Sequence, residues 1–126
     1  MFIIRQARID ILATMKLSEE ILNPISKEYY SLLEEKMNEG VLLFRIAFGS
    51  ENDLHELEKR CPHKTDQYKC MHVKNKNYQR MLLVDRKWLF FATDVGNERK
   101  FFFTEDNFCI EVFERYFIEE IVTEKI

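Results

Sequence analysis

The sequence predicts a single α/β domain, a mixed β-sheet flanked by helices, and three observations carry that prediction. The first is residues 78–93, YQRMLLVDRKWLFFAT, where the apolar runs 81–84 and 88–92 are joined by Asp85-Arg86-Lys87. Both runs are short, branched or aromatic, and free of Gly and Pro, as adjacent strands covered on both faces are. The second is residues 41–48, VLLFRIAF, apolar apart from Arg45, which reads as a central strand. The third is the order of patterns: strand, helix, strand, helix, then several strands and a last helix, which fits one layered unit. At 126 residues, 46% hydrophobic and with 11 Phe, residues 1–126 form one domain with enough apolar mass for a dense core.

Taken in order, residues 7–15, ARIDILATM, place Ile9, Ile11 and Ala13 at alternate positions and predict a strand half-exposed at its start. Residues 2–6 fit either an extension of that strand or a short helix. Residues 16–22, with Ser18, Glu19 and Glu20, read as a surface loop that can include a turn of helix. Asn23-Pro24 reads as an N-cap with proline at the first helical position, where its missing N–H costs nothing. Ile25, Tyr29, Leu32, Leu33 and Met37 then draw one apolar stripe down a helix that ends before Gly40. The strand 41–48 follows, so strand, helix and strand imply a right-handed parallel crossover.

Ser50-Glu51-Asn52-Asp53 starts a short second helix, with Leu54, Leu57 and Cys61 on one face, that stops at Pro62. Residues 63–77 are polar and basic and hold at most a short edge strand around Tyr68 and Cys70, where lysines discourage pairing with another chain. After the central hairpin, Asp94-Val95-Gly96-Asn97 is a turn and 99–104 another strand. Asp106 or Asn107 caps a last helix whose stripe is Ile110, Phe113, Phe117 and Ile121, widened by Cys109, Val112 and Tyr116.

A net charge of -3 argues against a nucleic-acid surface on this chain, because duplex binding rests on an excess of Lys and Arg facing phosphates. No apolar run approaches the roughly 20 residues a membrane span needs. Residues 1–4 carry neither a charged leader nor a small-residue cleavage site, so a cytoplasmic protein with no membrane partner is expected. Cys61, Cys70 and Cys109 are an odd number and read as free thiols.

Cys61-x-His63 and Cys70-x-His72 offer four soft ligands within twelve residues, and Cys70 and His72 would project from one strand face. Structural zinc sites use wider spacing, so the plainer reading makes Cys61 a helix-face apolar residue and the histidines surface residues. His72-x-Lys74 could serve phosphoryl chemistry, but Gln79 stands seven residues on, where a carboxylate would be needed. Cys109 lies among the last helix's apolar residues, and Gly40, Gly49 and Gly96 build no phosphate loop. The polar residues bracketing the hairpin, Tyr78, Arg80, Asp85 and Thr93, are the remaining candidates; the plain reading gives Asp85 to a tight turn and Arg80 to a solvated strand entrance.

With these elements in place, the chain resembles the phospholipase D-like superfamily, whose motif is His-x-Lys, four residues, then Asp, completed by Gly-Ser-x-Asn on the next strand. The apolar frame MLLVD puts Tyr78 at the His position, Arg80 at the Lys position and Asp85 at the Asp position. Ala92, Thr93 and Val95 fall where Gly, Ser and Asn are expected. ARIDILAT and EYYSLLEEKMNEGVLLFRIAFG extend the resemblance upstream. RMLLVDRKWLFFATD followed by FFFTEDNFCIEVFERYF is similar to the non-catalytic domains of this type in archaeal transcriptional regulators of the TrmB type. Those regulators carry a winged-helix DNA-binding unit ahead of the domain, and the expectation here is a chain without one.

The resemblance implies a catalytically inactive sensor or dimerisation module linked to transcription regulation, needing no cofactor, with a small anionic or hydroxyl-rich ligand beside the hairpin. Arg80 would supply an always-charged planar donor, Tyr78 and Thr93 would orient the ligand, and Asp85 would hold Arg80 or accept a ligand hydroxyl. A homodimer follows from the same resemblance, with a separate DNA-binding protein as a further partner. Two other readings stand beside it: a divergent phosphodiesterase or nuclease acting as a dimer through His72, and a small metal-binding protein using Cys61, His63, Cys70 and His72.

Overall fold

The computed structural model describes residues 2–60, 65–74 and 77–125. Along these residues run α1 (Phe2–Arg5), β1 (Asp10–Lys16), α2 (Leu17–Leu22), α3 (Lys27–Asn38), β2 (Leu42–Phe48) and α4 (Glu51–Arg60). They continue with β3 (Tyr68–Val73), β4 (Arg80–Val84), β5 (Trp88–Val95), β6 (Glu98–Thr104) and α5 (Asn107–Lys125). The strands form one sheet in the order β3-β2-β1-β4-β5-β6. β1, β2 and β3 are parallel, whereas β4 runs against β1 and the β4, β5 and β6 meander is antiparallel throughout. The mixed sheet read from the sequence is therefore present.

Strand alternation divides the core into two faces. Ile11, Leu43 and Val84 pack under α1 and α3 with Leu32, Leu33 and Met37. Met15 and Ala47, on the same face, receive Leu17 together with Leu54 and Leu57 of α4. The other face, with Leu12, Ile46, Met81, Leu83 and Leu89, is covered by Ile110 and Phe117 of α5. This is why both VLLFRIAF and MLLV lack an alternating polar pattern.

In residues 16–22 the turn of helix that the sequence allowed extends over the whole segment after Lys16. Lys16 ends β1 and α2 follows at once, because Leu17 is fully buried and ties the segment to the core. The cap of α3 also lies three residues later than Asn23-Pro24: Ser26 Oγ accepts from the Tyr29 N–H at 3.1 Å. Asn23 instead closes α2, its N–H donating to the Glu19 carbonyl at 2.8 Å. Asp106 caps α5 as expected, accepting from the Cys109 N–H at 3.0 Å, but Val112 is 46% exposed and does not widen the buried stripe. β6 is an edge strand, opposite β3, and Phe101, Phe102 and Phe103 on it are 60%, 42% and 50% exposed. No described helix is long and apolar enough to cross a membrane.

Candidate functional site

Because β4 runs against the first three strands, its start lies beside the carboxyl ends of β1, β2 and β3. Such ends are where open α/β sheets form clefts. A cavity of ≈ 280 Å³ opens here on the α3 face, lined by Glu19 and Glu20 of α2, by Tyr29 and Leu33 of α3, by Arg45 of β2, and by Arg80, Leu82, Phe90 and Phe101 of the meander.

Arg80 is paired with Ala92, and Asp94 with Arg99, so by alternation Arg80, Asp94 and Arg99 form a diagonal row on the face that also carries Arg45. Glu19 reaches over this row. Its Oε2 accepts from Arg80 Nη1 at 3.3 Å and its Oε1 from Arg99 Nη2 at 2.9 Å, while Arg99 Nε also donates to Asp94 Oδ1 at 3.3 Å. Arg45 is only 9% exposed and has Glu20 Oε1 at 3.7 Å, close enough for an ion pair and too far for a good hydrogen bond. Burial raises the pKa of the Tyr29 phenol, with Arg45 opposing and Glu20 adding. Burial raises that of Tyr78 too, with Arg80 opposing and Glu19 adding. Both remain neutral hydroxyls at physiological pH.

The start of β4 is pinned from three sides. Thr14 Oγ1 donates to the Gln79 carbonyl at 2.6 Å and accepts from the Met81 N–H at 3.0 Å. The Gln79 N–H donates to the Tyr116 hydroxyl at 2.9 Å, and that hydroxyl donates to the Asn77 carbonyl at 2.6 Å. Gln79 Nε2 donates to the Ala92 carbonyl at 2.7 Å. The Tyr116 phenol, mainly through burial, is pushed up to about 12. Tyr78, whose ring meets Phe48 edge-on at 5.5 Å, and Arg80 are thus presented by a fixed backbone.

Of the four residues singled out in the sequence, Tyr78 and Arg80 line the cavity. Thr93 does not face it with Arg80: it follows Ala92, the partner of Arg80, and so points to the opposite face, across from Lys100. Asp85 lies at the far end of β4, where its carboxylate accepts from the N–H groups of Arg8 at 2.9 Å, Ile9 at 2.8 Å and Asp10 at 3.2 Å. The expected hold of Asp85 on Arg80 is corrected accordingly. Arg80 takes its carboxylate from α2, and Asp85 serves the backbone before β1.

Cys61 and His63 lie outside the described residues. Cys70 and His72 do share a face of β3, but His72 Nε2 lies 2.6 Å from the Gly49 carbonyl and must donate to it. Among the described residues no group of three or more His, Cys, Asp or Glu is placed to hold a metal ion. Sequence reasoning missed Arg45, Glu19, Glu20 and Arg99. Arg45 did leave a signal: a charge inside an apolar strand needs a partner once buried.

A six-stranded mixed sheet with a charged, metabolite-sized cleft where strand direction changes defines a small α/β module. No protein-family model matches the chain, and no curated protein matches it in sequence. Its fold is similar to the solved structure of TrmBL2, described as an archaeal chromatin protein with a novel mode of DNA binding. The match has a TM-score of 0.69 at 17% identity and covers 94% of this chain and 45% of that one. The chain thus spans less than half the length of the protein whose fold it shares.

Proposed function

We propose that this chain is a non-catalytic, phospholipase D-like sensor and pairing module of a transcriptional regulator, binding a small anionic or hydroxyl-rich ligand in the cleft beside β4. The observation that carries the reading is the buried Arg45 and the half-exposed Arg80 converging on one cavity of ≈ 280 Å³. The likeness to a chromatin protein supports the regulatory setting. Tyr78, at the position of the superfamily's nucleophilic His, has a phenol pKa raised by burial, which argues against phosphodiester cleavage. With a net charge of -3, the chain's contact with DNA is best supplied by a DNA-binding unit outside residues 1–126. A cytoplasmic setting goes with this role.

Pairing is assigned to β6. It is one of the sheet's two edge strands, β3 being the other, and an antiparallel second copy centred on Phe102 would set Phe101 against the partner's Phe103, burying three exposed rings per chain. The sensor reading is tested by thermal-shift screening against phosphates, carboxylates and sugars, repeated on Arg80→Ala. A ligand at 100 times its dissociation constant adds about 2.7 kcal/mol of stability. A raised melting temperature that disappears in the variant supports the cleft, and an undiminished one removes it.

A further inference from the structure

We infer that Glu19 is an internal stand-in for the ligand of the cleft, and that the ligand is a small acid, a carboxylate or a phosphate, which takes the Glu19 carboxylate's place between Arg80 and Arg99. The inference rests on the sensor reading above and narrows its ligand class.

The two oxygens of one carboxylate each meet a different guanidinium, at 2.9 Å and 3.3 Å, and the two arginines stand on strands separated by β5. Two planar forks converging on one anion form a receptor for any oxyanion of that size. The carboxylate that fills it comes from a short element held to the core at its first residue. α2 has six residues and no side-chain N-cap; it is anchored at its start by buried Leu17 and ends at Leu22, which is 79% exposed. Glu19 can therefore withdraw without disturbing the sheet.

Arg45 is buried beside the cleft with Glu20 Oε1 at 3.7 Å and Tyr68 as a hydrogen-bond partner, so a second acidic group reaching deeper would meet a charge already in place by displacing Glu20 as the first displaces Glu19. Leu82 and Phe90 line the cavity and would cover the ligand's apolar body. A neutral polyol is disfavoured by the same geometry, because entering between the arginines it would part a charge pair and bring no charge to replace it. Occupation by an acid frees α2, and since Leu17 of α2 packs with Leu54 and Leu57 of α4, ligand binding is felt outside the cleft.

Titration calorimetry with inorganic phosphate and with succinate, on the parent protein, Glu19→Gln and Arg99→Ala, tests this. Glu19→Gln keeps the side chain's shape at a partly exposed position and removes only the competing charge. It should bind one of the two probes about tenfold more tightly than the parent, and Arg99→Ala should bind neither. Backbone hydrogen exchange across residues 17–22 should quicken when the parent is saturated. Equal affinities of the parent and Glu19→Gln overturn the inference, and if Arg80→Ala abolishes that binding, the sensor cleft itself stands. Binding of a neutral sugar alone, lost in Arg80→Ala, also overturns the acid assignment and keeps the cleft. No binding of phosphate, succinate or sugar to any form overturns both.

Discussion

Asp85 occupies a hairpin turn with φ 54° beside Arg86 with φ 58°, and the Lys87 N–H closes the turn on the Val84 carbonyl at 3.0 Å. Two successive positive φ values are the mark of a primed turn, and Asp tolerates that region better than most residues. Its carboxylate also gathers the N–H groups of residues 8–10, so Asp85→Ala leaves several charge-assisted bonds unmade. It should cost about 2–4 kcal/mol in urea unfolding, with ligand binding at Arg80 unchanged. Asp10 beside it makes the opposite statement. It is buried, its Oδ1 has no hydrogen-bond partner among the described residues, and its Oδ2 lies 3.3 Å from Arg86 Nε. Burial is the main cause that lifts its pKa above 3.8, with Arg86 opposing and Asp85 adding. The folded state therefore holds this proton more tightly than the unfolded chain does. Its contribution is fully present below pH 3.8 and is lost as the pH rises through the raised value. Melting curves of Asp10→Asn against the parent should diverge in the variant's favour from pH 3.8 upward, and a difference that is flat with pH would contradict this assignment.

The elements themselves were legible in the sequence where burial on both faces left unbroken apolar runs, as in VLLFRIAF and MLLV, or where a stripe and a cap agreed, as in α5. Residues 16–22 were not, because Leu17 alone decides between helix and loop, and its pocket is made by Met15 and Ala47, of which Ala47 lies thirty residues away in the chain. The cleft was half legible for a similar reason. Tyr78 and Arg80 are marked by their place before an apolar strand, whereas Glu19 and Arg99 meet only through the sheet order, across a sequence separation of 80. Two joints between elements follow from the contacts. Tyr116→Phe removes the hydroxyl that links α5 to both Asn77 and Gln79 and should lower stability by about 1–2 kcal/mol, with weaker ligand binding as Arg80 loses its fixed backbone. Gly49 has φ +148°, and an added Cβ would lie 3.0 Å from Leu17 Cβ. Gly49→Ala should therefore destabilise the protein by about 1–3 kcal/mol and loosen α2, which hydrogen exchange at residues 17–22 would register.

At the scale of the molecule, the proposed role gives one face of the sheet to ligand binding and one edge to pairing. Phe102→Glu on β6 puts a charge at the proposed two-fold axis and should turn a dimer into a monomer in sedimentation equilibrium, with the fold unchanged by circular dichroism; a persistent dimer would move pairing elsewhere. Chemical-shift mapping of ¹⁵N-labelled protein titrated with inorganic phosphate, succinate and a neutral sugar tests the proposed cleft. Shifts are expected to concentrate at residues 19–20, 45, 80–82 and 99–101, where α2 and the arginine-bearing strands β2, β4 and β6 meet beside one cavity. Shifts that spare these residues and gather around 65–74 would contradict it, and would move the site to β3 with Cys70 and His72.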